Sequence, residues 1–186
     1  MEVVEMNTEY LVDLLHEEEI SEARMDKILR QYVRETYGYY KVMEPKDALT
    51  RLLSDANYRD RCKKGGAGEL GIWIKPGDIC YIDYGLSYLN EMGFQHFGLI
   101  VKIVHCKAFV IPMTSNEKTY RNALKKDYKG HLMPIGKIPG MYKDSVLFLN
   151  DYRSINTARV IGVQAHISTK SELFQTIKKR LQEIVL

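Results

Sequence analysis

The sequence predicts an α+β fold: a helical first third, then short strands forming a small, strongly curved sheet or barrel, then a closing helix. Three observations predict it. Apolar residues recur at helical spacing through residues 1–64. Short alternating runs separated by turn signals occupy 78–163. An amphipathic stretch with a capping pattern ends the chain.

In the first part, Tyr10, Leu11, Leu14 and Leu15 follow Asn7 and Thr8, either of which can cap a helix start. Met25, Ile28, Leu29, Tyr32 and Val33 mark one face of a second helix, with Ser21 as its N-cap and Gly38 as its end. A third helix starts near Pro45, a residue tolerated in a first helical turn, and runs through Ala48, Leu49, Leu52 and Leu53. The second part reads mainly as strands. Asp78 to Tyr84 alternates after a Pro-Gly turn, and Leu86 to Gln95 forms a loop. Phe97–Val104 and Ala108–Pro112 are strands joined by a tight turn around His105–Lys107. Residues 117–128 are polar and predict a helix or long loop. Ser145–Leu149 and Ala158–Val163 are further strands. Thr169-Lys170-Ser171-Glu172 forms a capping box before Leu173, Phe174, Ile177, Leu181 and Ile184 on one helix face.

The chain has 186 residues, 45% hydrophobic and 27% charged, which excludes disordered and low-complexity classes. No apolar run approaches the roughly 18 residues of a membrane-spanning helix. The acidic start Met1-Glu2-Val3-Val4-Glu5 is unlike a signal peptide. Cys62, Cys80 and Cys106 are odd in number and form no CxxC pair, which fits idle or buried thiols in a reducing compartment. A cytoplasmic protein is expected.

Charge is unevenly spread. Residues 1–64 hold 11 Lys+Arg against 14 Asp+Glu, whereas 65–186 hold 16 against 10. The change coincides with Lys63-Lys64-Gly65-Gly66-Ala67-Gly68. The expected organisation is therefore a helical extension at 1–64, a hinge at 65–70 and a basic barrel domain at 71–186.

Common catalytic signatures are missing: there is no GxSxG, no P-loop and no dinucleotide fingerprint. His105, His131 and His166 have no metal-ligand spacing, so neither metal nor cofactor is expected. Cys80 and Cys106 lie among strand apolars and read as core residues.

Four segments carry a resemblance. They are Pro76-Gly77-Asp78-Ile79-Cys80-Tyr81-Ile82-Asp83-Tyr84-Gly85, Glu91 to Val101, Val110-Ile111-Pro112-Met113-Thr114-Ser115-Asn116, and Ser145 to Asn156 with its Arg153-Ser154-Ile155 exit. In this order they resemble the opening GD strand, the glycine-containing loop with its second strand, the Pro-x-Thr-Ser strand end, and the later strand of the MazF/PemK (Kid-like) toxins. The blocks span about half of the chain.

The resemblance implies an SH3-like (plasmid-maintenance-toxin) barrel with a C-terminal helix. It implies a type II toxin–antitoxin endoribonuclease that cleaves single-stranded RNA without metal, acts as a homodimer and is restrained by an antitoxin protein. The chain departs from the family in its long N-terminal extension and in His96-Phe97, which stand where the family commonly has Arg-Pro. Metal-free cleavage needs a base for the 2′-hydroxyl, charge stabilisation at the phosphoryl oxygens, and an acid for the leaving oxygen. His96 is the candidate base or acid, because an imidazole is the side chain suited to both roles near neutral pH. Thr114 and Ser115 offer hydroxyl and N–H donors to a phosphate, and Arg153 is the candidate positive charge. Lys75, Asn116 and Arg121, with Lys102, Lys125 and Lys126, are candidates for tracking RNA, and Tyr84, Tyr88 and Tyr120 for stacking bases.

Two other readings stay open. A barrel without the family arginine can bind RNA or a protein partner without cutting. A related barrel in the CcdB family inhibits DNA gyrase, although no residue here points to that target.

Overall fold

The computed structural model describes residues 6–17, 19–125 and 130–185. The chain divides into two compact units, Met1–Leu49 and Thr50–Leu186. The division falls inside a helix, ahead of the glycine-rich stretch at 65–68.

The first unit is helical. Helix α1 (Thr8–Leu15) is capped by Asn7, whose side-chain oxygen accepts from the Tyr10 N–H at 2.9 Å. Ser21 caps α2 (Glu22–Lys41). Gly38 does not end α2, which runs on to Lys41. A glycine stops a helix when it turns left-handed, and Gly38 is not among the positive-φ glycines. Leu14 and Ile28 are buried, and Arg24 reaches back to Glu17 to tie α2 to the end of α1. Helix α3 (Pro45–Arg61) begins at the expected proline and continues into the second unit.

The second unit is an antiparallel sheet closed by a helix. Its strands are β1 (Asp78–Asp83), β2 (Gln95–Val104), β3 (Lys107–Thr114), β4 (Leu132–Gly136), β5 (Ser145–Phe148), β6 (Arg153–Asn156) and β7 (Val160–His166). Their order is β4-β5-β3-β2-β1-β7, and β6 also pairs β3. Along its free edge, β3 gives its first half to β6 and its last two residues to β5. One strand serving two partners in succession makes the sheet turn sharply. Strands β4 and β6 are not among the sequence expectations, and the strand expected at Ala158–Val163 starts at Val160, after a short 3-10 turn.

Alternation sorts the side chains into two cores. Ile79, Leu99, Ile111, Met113 and Leu147 face helix α5 (Glu172–Val185), which covers them with Phe174, Ile177 and Leu181. Cys80, Ile82, Tyr84, Ile100, Val110, Ile155 and Val160 form the core of the opposite face. Helix α5 is capped by Ser171, whose hydroxyl accepts from the Phe174 N–H at 3.2 Å, not by Thr169 as the capping-box pattern predicts. Thr169 instead gives its carbonyl to the side chain of Gln175. Within the stretch expected as a hinge, Ala67–Leu70 forms a 3-10 turn, and the Ala67 N–H donates to the buried Thr157 hydroxyl at 3.0 Å. No helix among the described residues is long and apolar enough to cross a membrane.

Candidate functional site

The site forms where β1 ends and β2 begins. Ile82 pairs with His96 and Asp83 with Gln95, so the 84–94 loop leaves and re-enters the sheet beside His96. On the other side of β2, Phe97 pairs with Met113 and Gly98 with Pro112. One step further along this register, His96 stands opposite Thr114. By alternation both fall on the face of Ile82, Tyr84 and Val110.

The loop is closed by its own backbone. Tyr84 N–H donates to the Phe94 carbonyl and Phe94 N–H to the Gly85 carbonyl, each at 2.7 Å. Phe94 holds φ +53°, a conformation that side chains rarely adopt, so these bonds constrain it. Gly93 has room for no side chain, since a Cβ there would stand 2.1 Å from the Ser87 hydroxyl. The Gly93 carbonyl lies 2.7 Å from Nδ1 of the half-buried His96. A carbonyl only accepts, so Nδ1 carries the proton and Nε2 of the neutral ring keeps its lone pair. His96 is therefore held as the tautomer of a base.

Thr114 closes β3, and its hydroxyl accepts from the Asn116 N–H at 3.2 Å. Ser115 is exposed. Asn116 caps α4 (Glu117–Ala123) by accepting from the Thr119 N–H. Thr114, Ser115 and Asn116 thus form one turn beside His96.

Arg153 lies on the same face but is not an open charge. It forms an ion pair with Asp151, and its guanidinium sits 5.5 Å over the ring of Tyr84. The other Asp151 oxygen accepts from the Met92 N–H at 2.7 Å, which fastens the loop a second time. Tyr84 corrects an expectation: only 6% exposed, its ring has no face open to a base. Its buried hydroxyl has no hydrogen-bond partner among the described residues, and that burial pushes its pKa above the ordinary tyrosine value.

The remaining candidates lie apart. Lys75 precedes β1 at the end far from His96, where its N–H donates to Asp78. Arg121 sits on α4 in an ion pair with Glu117. Tyr88 is 86% exposed at the loop tip, between Leu86 and Leu89. Lys102 is exposed on β2, Lys125 hydrogen-bonds Asn122, and Lys126 lies outside the described residues.

Sequence reasoning misses Asp83 and Asp151, the two carboxylates that hold the loop. Asp83 is 2% exposed and accepts from Ser54 Oγ at 2.6 Å, Asn57 Nδ2 at 3.0 Å and Gly85 N–H at 2.9 Å. An acidic residue ending a strand with an apolar interior, two positions before a glycine, is the signal in the sequence.

Over about 60% of its length the chain is similar in structure to MazF toxins. MazF (Form-I) from Deinococcus radiodurans matches 60% of this chain and 96% of its own, at 12% identity and a TM-score of 0.46. MazE-MazF (Form-II) from the same organism matches 60% and 95%, at 13% identity and 0.42. The toxin MazF-mt6 of Mycobacterium tuberculosis matches 58% and 91%, at 12% identity and 0.38. No family model matches the sequence, and neither does any curated protein.

Proposed function

We propose that the Thr50–Leu186 unit is a metal-independent endoribonuclease of toxin–antitoxin type. The observation that carries this reading is the Gly93–His96 hydrogen bond, which leaves Nε2 as a free base opposite Thr114. The four ordered sequence blocks supply the reaction class.

In the proposed reaction, His96 Nε2 takes the proton of the 2′-hydroxyl. The 2′ oxygen attacks phosphorus, the bond to the 5′ oxygen breaks, and the imidazolium returns its proton to that leaving oxygen. The ends are a 2′,3′-cyclic phosphate and a 5′-hydroxyl. Thr114 and Ser115 donate to the phosphoryl oxygens, and Asn116 starts the turn that carries the strand into α4. Arg153 acts through the loop and not as a free cation, because Asp151 neutralises it. The partners in this reading are single-stranded RNA, a second copy of the chain, and an acidic antitoxin attracted by the basic excess of residues 65–186.

The test is cleavage of a long single-stranded RNA in EDTA with the ends mapped. The full chain leaves 5′-hydroxyl ends, and His96→Ala lowers the rate roughly 100-fold or more. Undiminished cutting by His96→Ala would move the chemistry elsewhere. The Asp151–Arg153 pair favours a second reading, a barrel that binds RNA without cutting, because it removes the one arginine expected to stabilise the phosphoryl charge. Salt-sensitive RNA binding with no new ends would establish it.

A further inference from the structure

Helix α3 meets the sheet with an unusual face. Arg51, Ser54, Asn57 and Arg61 recur at spacings of three and four, so they form one stripe along the helix. The structure engages each of them. The Arg51 guanidinium sits 5.3 Å over the Phe94 ring. Ser54 and Asn57 both donate to Asp83. Arg61 donates to the carbonyls of Val160 at 2.7 Å and Ala158 at 3.3 Å. Leu52 and Leu53, by contrast, are about half exposed. The helix is therefore fixed to the sheet through polar contacts of defined geometry.

Those contacts converge on the two ends of one loop. Asp83 is the last residue of β1, and it also accepts from the Gly85 N–H, where the loop departs with φ +79°. Phe94 is the last residue before β2 and is bonded to Gly85 and Tyr84. Between these anchors lies Gly93, whose carbonyl orients His96. Asp83 is in no ion pair among the described residues, and two of its three side-chain partners come from α3. Removing them leaves a buried carboxylate short of donors, which disturbs the Gly85 end of the loop.

We propose that Asp83, fastened by Ser54 and Asn57 of α3, is a positioning residue that sets the tautomer of His96. The path is explicit: α3 fixes Asp83, Asp83 fixes Gly85, Gly85 fixes Phe94, and the closed loop presents the Gly93 carbonyl to Nδ1. This deepens the ribonuclease reading and rests on it for its consequence in catalysis, while its physical content is the state of one imidazole.

The experiment follows the His96 ring nitrogens of the full chain by long-range proton–nitrogen NMR. The wild-type neutral ring carries its proton on Nδ1. In Ser54→Ala/Asn57→Ala, still folded by its amide spectrum, the neutral ring redistributes toward the Nε2–H form. Asp83→Ala alone removes the acceptor of all three bonds and gives the same redistribution. Exchanging the two groups in Asp83→Asn/Asn57→Asp keeps a donor–acceptor pair and with it the Nδ1–H form. If the wild type cleaves RNA, kcat falls about tenfold in the unlatched variant with KM little changed, and the reciprocal pair recovers it. A folded Ser54→Ala/Asn57→Ala protein with the wild-type ring spectrum overturns the proposal. If Asp83→Ala does not fold, the single variants Ser54→Ala and Asn57→Ala carry the same spectrum-based test. A wild type that never cleaves RNA defeats the ribonuclease reading alone, because the nitrogen spectrum still reports the latch.

Discussion

The hydroxyl of Tyr84 occupies the space that a side chain on Gly98 would fill: a Cβ on Gly98 would lie 2.1 Å from it. The glycine in the middle of β2 is thus what lets a tyrosine lie flat against the sheet beneath Arg153. The same Cβ would meet Ile82 Cδ1 at 3.1 Å and the Ile111 carbonyl at 3.4 Å. Gly98→Ala therefore overpacks the core and is expected to cost about 1–3 kcal/mol in urea denaturation. Tyr84→Phe removes a buried hydroxyl with no partner among the described residues and is expected to stabilise by about 1 kcal/mol. The double variant should lose less than the sum of the separate changes, since the clash partner has gone. Strict additivity would mean that the two side chains do not meet.

Asp151 serves two elements at once, neutralising Arg153 and accepting from Met92. Asp151→Asn leaves a guanidinium that is only 25% exposed without its counter-charge. The expected loss is about 2–3 kcal/mol, and pairing it with Arg153→Met should recover part of this. Amide exchange at Met92 supplies the local readout: it should speed up in Asp151→Ala, where the acceptor is removed. Unchanged exchange at Met92 would show that the loop is held without Asp151.

How much of this was legible in the sequence depends on how far apart the partners lie. Helices α1, α2 and α5 announce themselves because periodicity and caps act within a few residues of each other. The segment ends of β1, β2 and β3 are legible for the same reason, through alternation and turns. Strand β4 is five residues long with Pro134 and Gly136 inside it, and β6 is Arg153-Ser154-Ile155-Asn156, so neither shows alternation strong enough to read. Proline suits β4 because that strand lies at the sheet edge. His96 and Thr114 stand out as residue types within recognisable blocks. Asp83 does not, because the donors that explain its burial lie 26 and 29 residues away, on a helix of the preceding segment. Asp151 hides in the same way, bonded to Met92 at a separation of 59 residues.

Gly38 gives a prediction of the opposite sign. It sits inside α2, and a Cβ added there would meet nothing within 4 Å. Gly38→Ala removes backbone freedom from the unfolded chain and keeps every contact of the folded one. It is expected to stabilise the helical unit by about 0.5–1 kcal/mol, seen as a rise in the midpoint of its thermal melt by circular dichroism. A lower midpoint would mean that the bare helix surface at this position serves a contact that alanine blocks.

Cys80 links burial to pH. It is fully buried in β1, and burial, with a smaller contribution from Asp78, pushes its thiol from 9.0 up to about 12. Cys62 is exposed, and so is Cys106, which lies in the β2–β3 turn and not in the core where its apolar neighbours place it. At pH 8 a thiol reagent should therefore modify two cysteines in the folded protein and the third only after denaturant is added. The raised value also fixes the direction of a stability change. Between pH 9.0 and about 12 the unfolded chain has lost the Cys80 proton while the folded chain keeps it. The stabilisation is complete below the unfolded value and is lost as pH rises through this window. Tyr84, raised by its own burial, acts in the same direction at the alkaline end. Cys80→Ala should consequently flatten the fall of unfolding free energy above pH 9.0, even though the cavity lowers its absolute stability. Equal slopes in the two proteins would show that the thiol titrates alike in the folded and unfolded chains, and the burial assigned to β1 would be wrong.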